Sequence, residues 1–451
     1  MTTSSKRTEV ARKAVHMLSG LFALLLRWLT GWQSLLLAVG ALAFNRLALP
    51  KLSKGALDRE ADRARGYALG ILLYPLSVAI LIAVFSSRLD IAAAAWGLMA
   101  FGDGAATLAG TFLGGPRLPW NASKSWSGFL GFIAAGAAAA ALLQTWVAGG
   151  HAGTPEPAVP SWALALAVAV LGAFIESLPT GIDDNVTVPL LTGGALYSLW
   201  WMDPAILGSA DPAVGRQLLV GAAINLVVAG AAYAAKTVKP SGAIAGYLLG
   251  TAIYAFSGWR GYVILTIFFV LASGSTKVGY EKKAARRIAQ EAGGRRGARH
   301  AIANVGLAAF LAFLAASTPA TTALLIAFTA ALATAVFDTV STEIGQVYGK
   351  HPILITTLRP VPPGTDGAVS LEGTAAGLLA GAVLSALAWV MGMIPAAGAA
   401  VAIAASFVGT TAESYIGATV EAMKLIDNEA VNFANTLVGA LAALAIWKLV
   451  G

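Results

Sequence analysis

Residues 91–114, IAAAAWGLMAFGDGAATLAGTFLG, and residues 321–349, TTALLIAFTAALATAVFDTVSTEIGQVYG, decide the fold. Each is an apolar run long enough to cross a bilayer, and each carries one aspartate near its end. The two share a spacing, Asp103-Thr107-Gly110-Gly114 and Asp338-Thr342-Gly345-Gly349, at a constant offset of 235 residues (338 − 103). A Ser-x-x-Gly follows in each half, Ser125/Gly128 and Ser370/Gly373. Then come Glu176-Ser177 with Asp184-Asn185, and Glu413-Ser414 with Asp427-Asn428. Carboxylates inside a membrane are expensive and mark function more often than packing, so a duplicated set points to two related sites.

The rest of the chain agrees with a membrane setting. Of 451 residues, 57% are hydrophobic and only 12% charged, and the mean hydropathy is +0.74. These values exclude an ordinary soluble domain, in which about 25% of residues are charged. Further apolar runs bring the expected total to about fifteen transmembrane helices. The fold class expected is therefore all-α, a polytopic membrane protein built from two distantly similar halves in a parallel repeat. The start, MTTSSKRTEVARK, is basic, but the apolar stretch after it runs into further spans, so no cleavable signal peptide is expected. With no cysteine, disulfides and thiol chemistry are excluded, and His, Asp and Glu remain as metal ligands.

A net charge of +8 raises the question of nucleic acid, yet the basic residues lie in short loops between spans. Residues 6–13, 51–65, 115–124, 236–239 and 277–299 are rich in Lys and Arg, whereas 149–160 and 202–214 are nearly free of them. The positive-inside rule then predicts a cytoplasmic amino terminus in a cell (inner) membrane, and no nucleic-acid partner. The DPAILGSADPAVG stretch reads as a linker near 203–214, separating a domain at 1–205 from one at 215–451.

Polar groups cluster at the ends of the apolar runs. GGPRLPWNASKSWSGF combines Gly114, Gly115, Arg117, Lys124 and Ser125 in one loop, which suits a polyphosphate, although its spacing is not that of a Walker loop. Carboxylates beside those cations suit Mg²⁺, which takes one or two protein oxygens and phosphate besides. Arg12 and His16 fall four residues apart at the first span, within reach of an anionic headgroup or nucleotide. In the second half, His351, Arg359 and Asp366 lie in a long loop, and glycines interrupt the Arg295, Arg296, Arg299 cluster. Arginines so placed suit bidentate phosphate binding.

These residues carry two resemblances. RKAVHMLSG, GDGAATLAG, GPRLPWNASKSWSGF and ESLPTGIDDNVTVPLLTG in the first half resemble the polyprenol kinase family, which includes dolichol and phytol kinases; Ser127 stands where that family usually has Glu. GSTKVGYEKKAARRIAQEAGGRRGARHAIAN, DTVSTEIGQVYGK, TLRPVPPGTDGAVSLEGT and DNEAVNFANT in the second resemble the membrane family that contains phytyl-phosphate kinase, with His300 where Asn is common. Together the resemblances imply a fusion of two successive kinases, with CTP or another nucleoside triphosphate as donor, Mg²⁺ as cofactor and an isoprenoid alcohol such as phytol or geranylgeraniol as substrate. The partners expected are then that alcohol and its phosphates, the nucleotide and the lipid bilayer.

On this reading Asp103, Glu176, Asp184 and Asn185 do metal or base work in the first half, and Asp338, Glu343, Glu413 and Asn428 in the second. The metal ligands among them are Asp103, Glu176, Asp184, Asp338 and Glu413. Arg12, His16, Arg117, Lys124 and Ser125 are expected on nucleotide phosphates, with Arg359 and Ser370 in the second half. Arg295, Arg296 and Arg299 are expected on the acceptor phosphate, because a phosphate monoester brings negative charge that an alcohol lacks. Two rival readings are a transporter or scramblase of polyprenyl phosphates and a lipid-phosphate cytidylyltransferase.

Overall fold

In a computed structural model, residues 3–53, 69–179, 182–209, 211–286, 288, 296–423 and 426–451 are described. Arg295 and most of the basic 51–65 stretch lie outside them. The protein is all-α and polytopic, with helices on the apolar runs. Among the described residues, nine helices are long and apolar enough to cross a bilayer, and the apolar helices Gly70–Val84 and Ser161–Ser177 are shorter. This is fewer than the fifteen spans expected. The run at 31–49 forms only the 17-residue helix Gly31–Leu47. The runs at 241–256 and 258–274 belong to one helix, Pro240–Lys277, broken where Gly258 takes φ +66°. Such a backbone is open to glycine and strained for other residues.

The chain divides into two compact units, Met1–Met202 and Asp203–Gly451. The stretch read as a linker is helical instead, as Pro204–Ser209 and the start of Asp211–Ala234. Pro204 and Pro212 open these helices, where a missing N–H costs nothing because the first turn has no acceptor for it.

In the first unit the rod Leu89–Phe112 runs through the interior, and a π-helical turn at Leu98–Gly102 interrupts it immediately before Asp103. Glycines let helices close on it: a Cβ at Gly97 would lie 2.4 Å from Leu143, and one at Gly172 would lie 2.7 Å from Leu98 and 2.9 Å from Phe132. In lipid, apolar side chains gain little by facing one another, so close backbone approach through small residues supplies the contact. After the rod comes a short hairpin, Arg117–Leu118 against Asn121–Ser125, which leads into Trp126–Ala148.

In the second unit Thr321–Tyr348 is the central helix, buried along most of its length. Packed against it are Pro240–Lys277, Leu371–Val390, Ala396–Ile416 and Asn428–Val450. The core here is Phe328, Leu332, Val336, Leu384 and a series of buried alanines. A second hairpin, Ile353–Leu354 against Ala368–Val369, joins the central helix to Leu371–Val390. Outward-facing Leu219, Val227, Leu379 and Leu449 are exposed, as expected of surfaces that meet lipid.

Two glycines of the second unit differ sharply in the space around them. A Cβ at Gly409 would meet Thr334 Cγ2 at 2.6 Å and the Asn435 carbonyl oxygen at 2.9 Å, whereas one at Gly246 meets nothing within 4 Å. Gly409→Ala is expected to destabilise the protein by about 1–3 kcal/mol through overpacking. Gly246→Ala is expected to be neutral or stabilising by up to about 1 kcal/mol. Thermal unfolding of both variants in detergent checks this.

Candidate active site

In the first unit, Asp103, Glu176 and Asp184 come from three different helices, and one carboxylate oxygen from each lies within 4.8 Å of the others. Like charges about 4 Å apart repel by about 4 kcal/mol at a surface-like dielectric, so the trio requires counter-ions. Two are present. The Lys13 ammonium donates to Asp103, and the Lys124 ammonium donates to Glu176. His16 Nε2 stands 3.6 Å from the same Asp103 oxygen. The His16 ring packs edge-on against Tyr74 at 4.6 Å, and the Tyr74 hydroxyl accepts from Trp96 Nε1 at 2.7 Å.

The lip of this site is a helix start. Asp183 caps the helix Asp184–Trp200, accepting from the Asn185 backbone N–H at 3.0 Å and from its side-chain amide at 2.7 Å. That leaves Asn185 Oδ1 buried with no partner. A cavity of about 90 Å³ lies here, lined by Arg12, Lys13, His16, Asp183, Asp184 and Asn185. Arg12, His16, Asp184 and Asn185, four of the residues singled out in the sequence, thus line one cavity.

Lys124 reaches the trio from the hairpin, but its neighbours do other work. Ser125 Oγ accepts from the Gly128 N–H at 3.2 Å and caps the helix that follows, and Arg117 is exposed beside the Ser123 carbonyl. Gly114 and Gly115 both take left-handed backbone, at φ +63° and +106°. An aromatic wall of Trp120, Phe129 and Phe174 flanks Ser177, whose hydroxyl accepts from Trp120 Nε1 at 3.0 Å.

The second unit holds a cavity of about 340 Å³. Asp338 and Glu343 enter it from the central helix, Glu413 from Ala396–Ile416, and Glu421 from the π-helical turn after it. Asn428 and Asn432 enter from the last helix, and Asp366, His300 and several Ser and Thr residues, Thr410 among them, also line it. Glu343 is paired with Lys283, which also donates to the Thr276 carbonyl at 2.9 Å. Ser370 caps Leu371–Val390 through the Gly373 N–H at 3.2 Å, and Asp427 caps Asn428–Val450 while pairing with Arg299.

Two expected phosphate ligands are placed elsewhere. Arg296 is buried, 3.3 Å from Thr276 Oγ1 and 3.4 Å from the Ala272 carbonyl, and is not among the residues lining the cavity. Burial holds its pKa below the ordinary guanidinium range, opposed by the charge of Glu343. Arg359 is exposed in the loop and does not line the cavity either.

The family described as "Integral membrane protein DUF92" matches residues 223–440. An uncharacterized membrane protein of Synechocystis, sll0875, is 39% identical over 214 residues, covering 47% of this chain and 83% of that protein. The chain belongs to the DUF92 integral membrane family. Protein VTE6, chloroplastic, of Arabidopsis thaliana is 35% identical over 256 residues, 54% of this chain and 75% of that relative. A probable phytol kinase 2, chloroplastic, of Oryza sativa is 32% identical over 197 residues, 40% of this chain and 63% of that relative. No solved structure matches the chain.

Sequence reasoning missed Lys283, Glu421 and Tyr74. The Tyr280–Ala285 helix holds Lys282 and Lys283 side by side, and only the fold selects Lys283, 1% exposed, for burial against Glu343. Removing one partner of a buried pair strands the other charge. Lys283→Met is therefore expected to cost about 3–5 kcal/mol, and adding Glu343→Gln to recover most of it. Thermal melts of the single and double variants in detergent measure the difference.

Proposed function

We propose that this member of the DUF92 family phosphorylates an isoprenoid alcohol twice, to the monophosphate in the first unit and to the diphosphate in the second. The observation that carries this reading is the carboxylate trio of Asp103, Glu176 and Asp184, flanked by Lys13, Lys124 and His16. Relatives named probable phytol kinases support the substrate class. The two units read as diverged copies in a parallel repeat. Supporting this, each has an aspartate-bearing rod, a short hairpin, a serine-capped helix, a glutamate-ending helix and an aspartate-capped helix, in that order. On the same reading the amino terminus is cytoplasmic and the membrane is the cell membrane, since a soluble nucleotide has to reach sites that lie at helix ends.

The donor is a nucleoside triphosphate, with CTP suggested by the two resemblances together. The all-oxygen donor set of Asp103, Glu176 and Asp184 fits Mg²⁺, a hard cation, and Asp338 and Glu413 are the matching ligands in the second unit. Bound there, Mg²⁺ would offset charge on the donor's phosphates. In the first reaction the alcohol oxygen bonds to the terminal phosphorus, the bond to the nucleoside diphosphate breaks, and the alcohol's proton passes to a carboxylate of the trio. In the second, a monoester oxygen attacks in the same way with no proton to lose. Lys13, Lys124, Arg12 and His16 hold anionic groups in line, and phosphoryl transfer depends chiefly on such positioning and charge stabilisation.

Removing one carboxylate therefore costs orders of magnitude in rate. Asp103→Asn is expected to abolish conversion of a prenyl alcohol to its monophosphate while sparing monophosphate to diphosphate, and Asp338→Asn to do the reverse. Purified protein with radiolabelled nucleotide, a panel of prenyl alcohols and their monophosphates, and chromatographic separation of products tests both. Equal loss of both steps in either folded variant would refute the division of labour.

A further inference from the structure

The two acidic sites differ in how their charge is compensated. In the first unit two lysines lie on the trio. Around the 340 Å³ cavity of the second unit five acids converge, Asp338, Glu343, Asp366, Glu413 and Glu421, and among the described residues no lysine or arginine side chain lines it. Among the described residues only Glu343 has an ion-pair partner, Lys283, which is not itself part of the lining. Asp338 and Glu421 repel one another, and Glu413 is repelled by Asp338, Glu421 and Asp366.

Two further observations concern polar atoms beside the cavity. Thr410 and Glu343 both line it and are more than nine-tenths buried, and neither Thr410 Oγ1 nor Glu343 Oε1 has a hydrogen-bond partner among the described residues. Buried polar atoms in native proteins are nearly always satisfied, so atoms left open on a cavity wall mark a missing partner. A missing partner that suits a hydroxyl, a carboxylate oxygen and several unneutralised acids together is a cation. The first-unit trio is the one acidic group whose ligand atoms approach within 4.8 Å among the described residues. Acids standing further apart round a larger cavity suit an ion that keeps part of its water shell, as Mg²⁺ does.

We infer that the second-unit cavity takes up a partly hydrated divalent cation before any nucleotide arrives, held by Asp338, Glu413 and Glu421, with Thr410 and Asn428 beside it. Glu421 is the new ligand. It sits on the π-helical turn Gly417–Glu421, a local widening of the helix of the kind that re-aims side chains at sites. Glu421, Asn428 and Asn432 line the same cavity, and Asn428 Oδ1 accepts from the Asn432 side-chain amide at 3.2 Å, so the helix start that follows brings two amides to the same space as this carboxylate. The first unit, whose lysines already neutralise much of its trio, has less need of an ion until phosphates draw those lysines away. This deepens the kinase reading of the same cavity, but the uptake of the ion stands on the geometry alone.

The test is a titration of the full-length protein in detergent with Mn²⁺ alone, free ion being read by electron paramagnetic resonance, with no nucleotide present. It is done in the Asp103→Asn chain so that the first-unit trio is disabled. That chain is expected to bind Mn²⁺ and to release it to excess Mg²⁺, and adding Glu421→Gln is expected to weaken binding at least about tenfold. Thermal unfolding in chelator checks folding: Glu421→Gln should be as stable as its parent or more so, since a repulsion is gone, and should lose the rise in Tm that Mn²⁺ gives the parent. If Glu421→Gln does not fold, Asp338→Asn in the same background supplies the same comparison. No bound Mn²⁺ in the parent, or unchanged binding after the substitution, overturns the inference. The assay does not register phosphoryl transfer, so its failure leaves the kinase reading standing, and loss of product with intact Mn²⁺ binding would fail the kinase reading alone.

Discussion

A carboxylate in an apolar helix bundle has to be given a counter-charge, and that requirement governs most of what is built around Asp103 and Asp338. Desolvating an ion costs several kcal/mol even after relaxation, and a bare one would neutralise itself by taking a proton. The first unit answers with lysines brought from elsewhere in the chain. Lys13 comes from the amino-terminal helix and Lys124 from the hairpin, and each reaches a different acid of the trio. The hairpin is short because its work is local: it carries Lys124 back to Glu176 and ends in the serine that caps the next helix.

Helix starts are the second device. Asp183, Ser125, Ser370 and Asp427 each accept from a backbone N–H of the helix that follows, so four helices begin at points fixed by a side chain. A cap fixes where a helix starts, and so where the residues of its first turn point. Asp184, Asn185 and Asn428 are such residues. Their side chains are aimed by the caps beside them, and Arg299, paired with the Asp427 cap, acts at that helix start and is absent from the cavity lining.

Much of this was legible in the sequence, and the reason is spacing. An aspartate near the end of an apolar run, a serine before a glycine and a glutamate closing another run are local patterns that survive without knowledge of the fold. Asp103, Glu176 and Asp184 could be chosen that way, and the structure brings them together. What was hidden depends on which face of a helix turns inward. Lys283 pairs with a glutamate 60 positions away, and nothing in YEKKAA separates it from Lys282. Arg296 was read as a phosphate ligand from its glycine-flanked cluster, but it is buried against Thr276 and the Ala272 carbonyl. The two hairpins have strands of two to five residues, too short to show an alternating pattern.

Glu421 shows where such reading stops. In EAMKLIDNEA it is one of several charged residues near the end of a span, and a regular α-helix continued from Glu413 would turn it by about 100° per residue, roughly 80° away from Glu413 after eight positions. The π-helical turn at Gly417–Glu421 alters that count by admitting an extra residue, and both acids come to line one cavity. Asp103 follows a turn of the same kind at Leu98–Gly102. In both units, then, an irregular turn inside a membrane helix accompanies an acid at the site, where non-ideal backbone is tolerated because it is buried in protein or lines a cavity and does not face lipid.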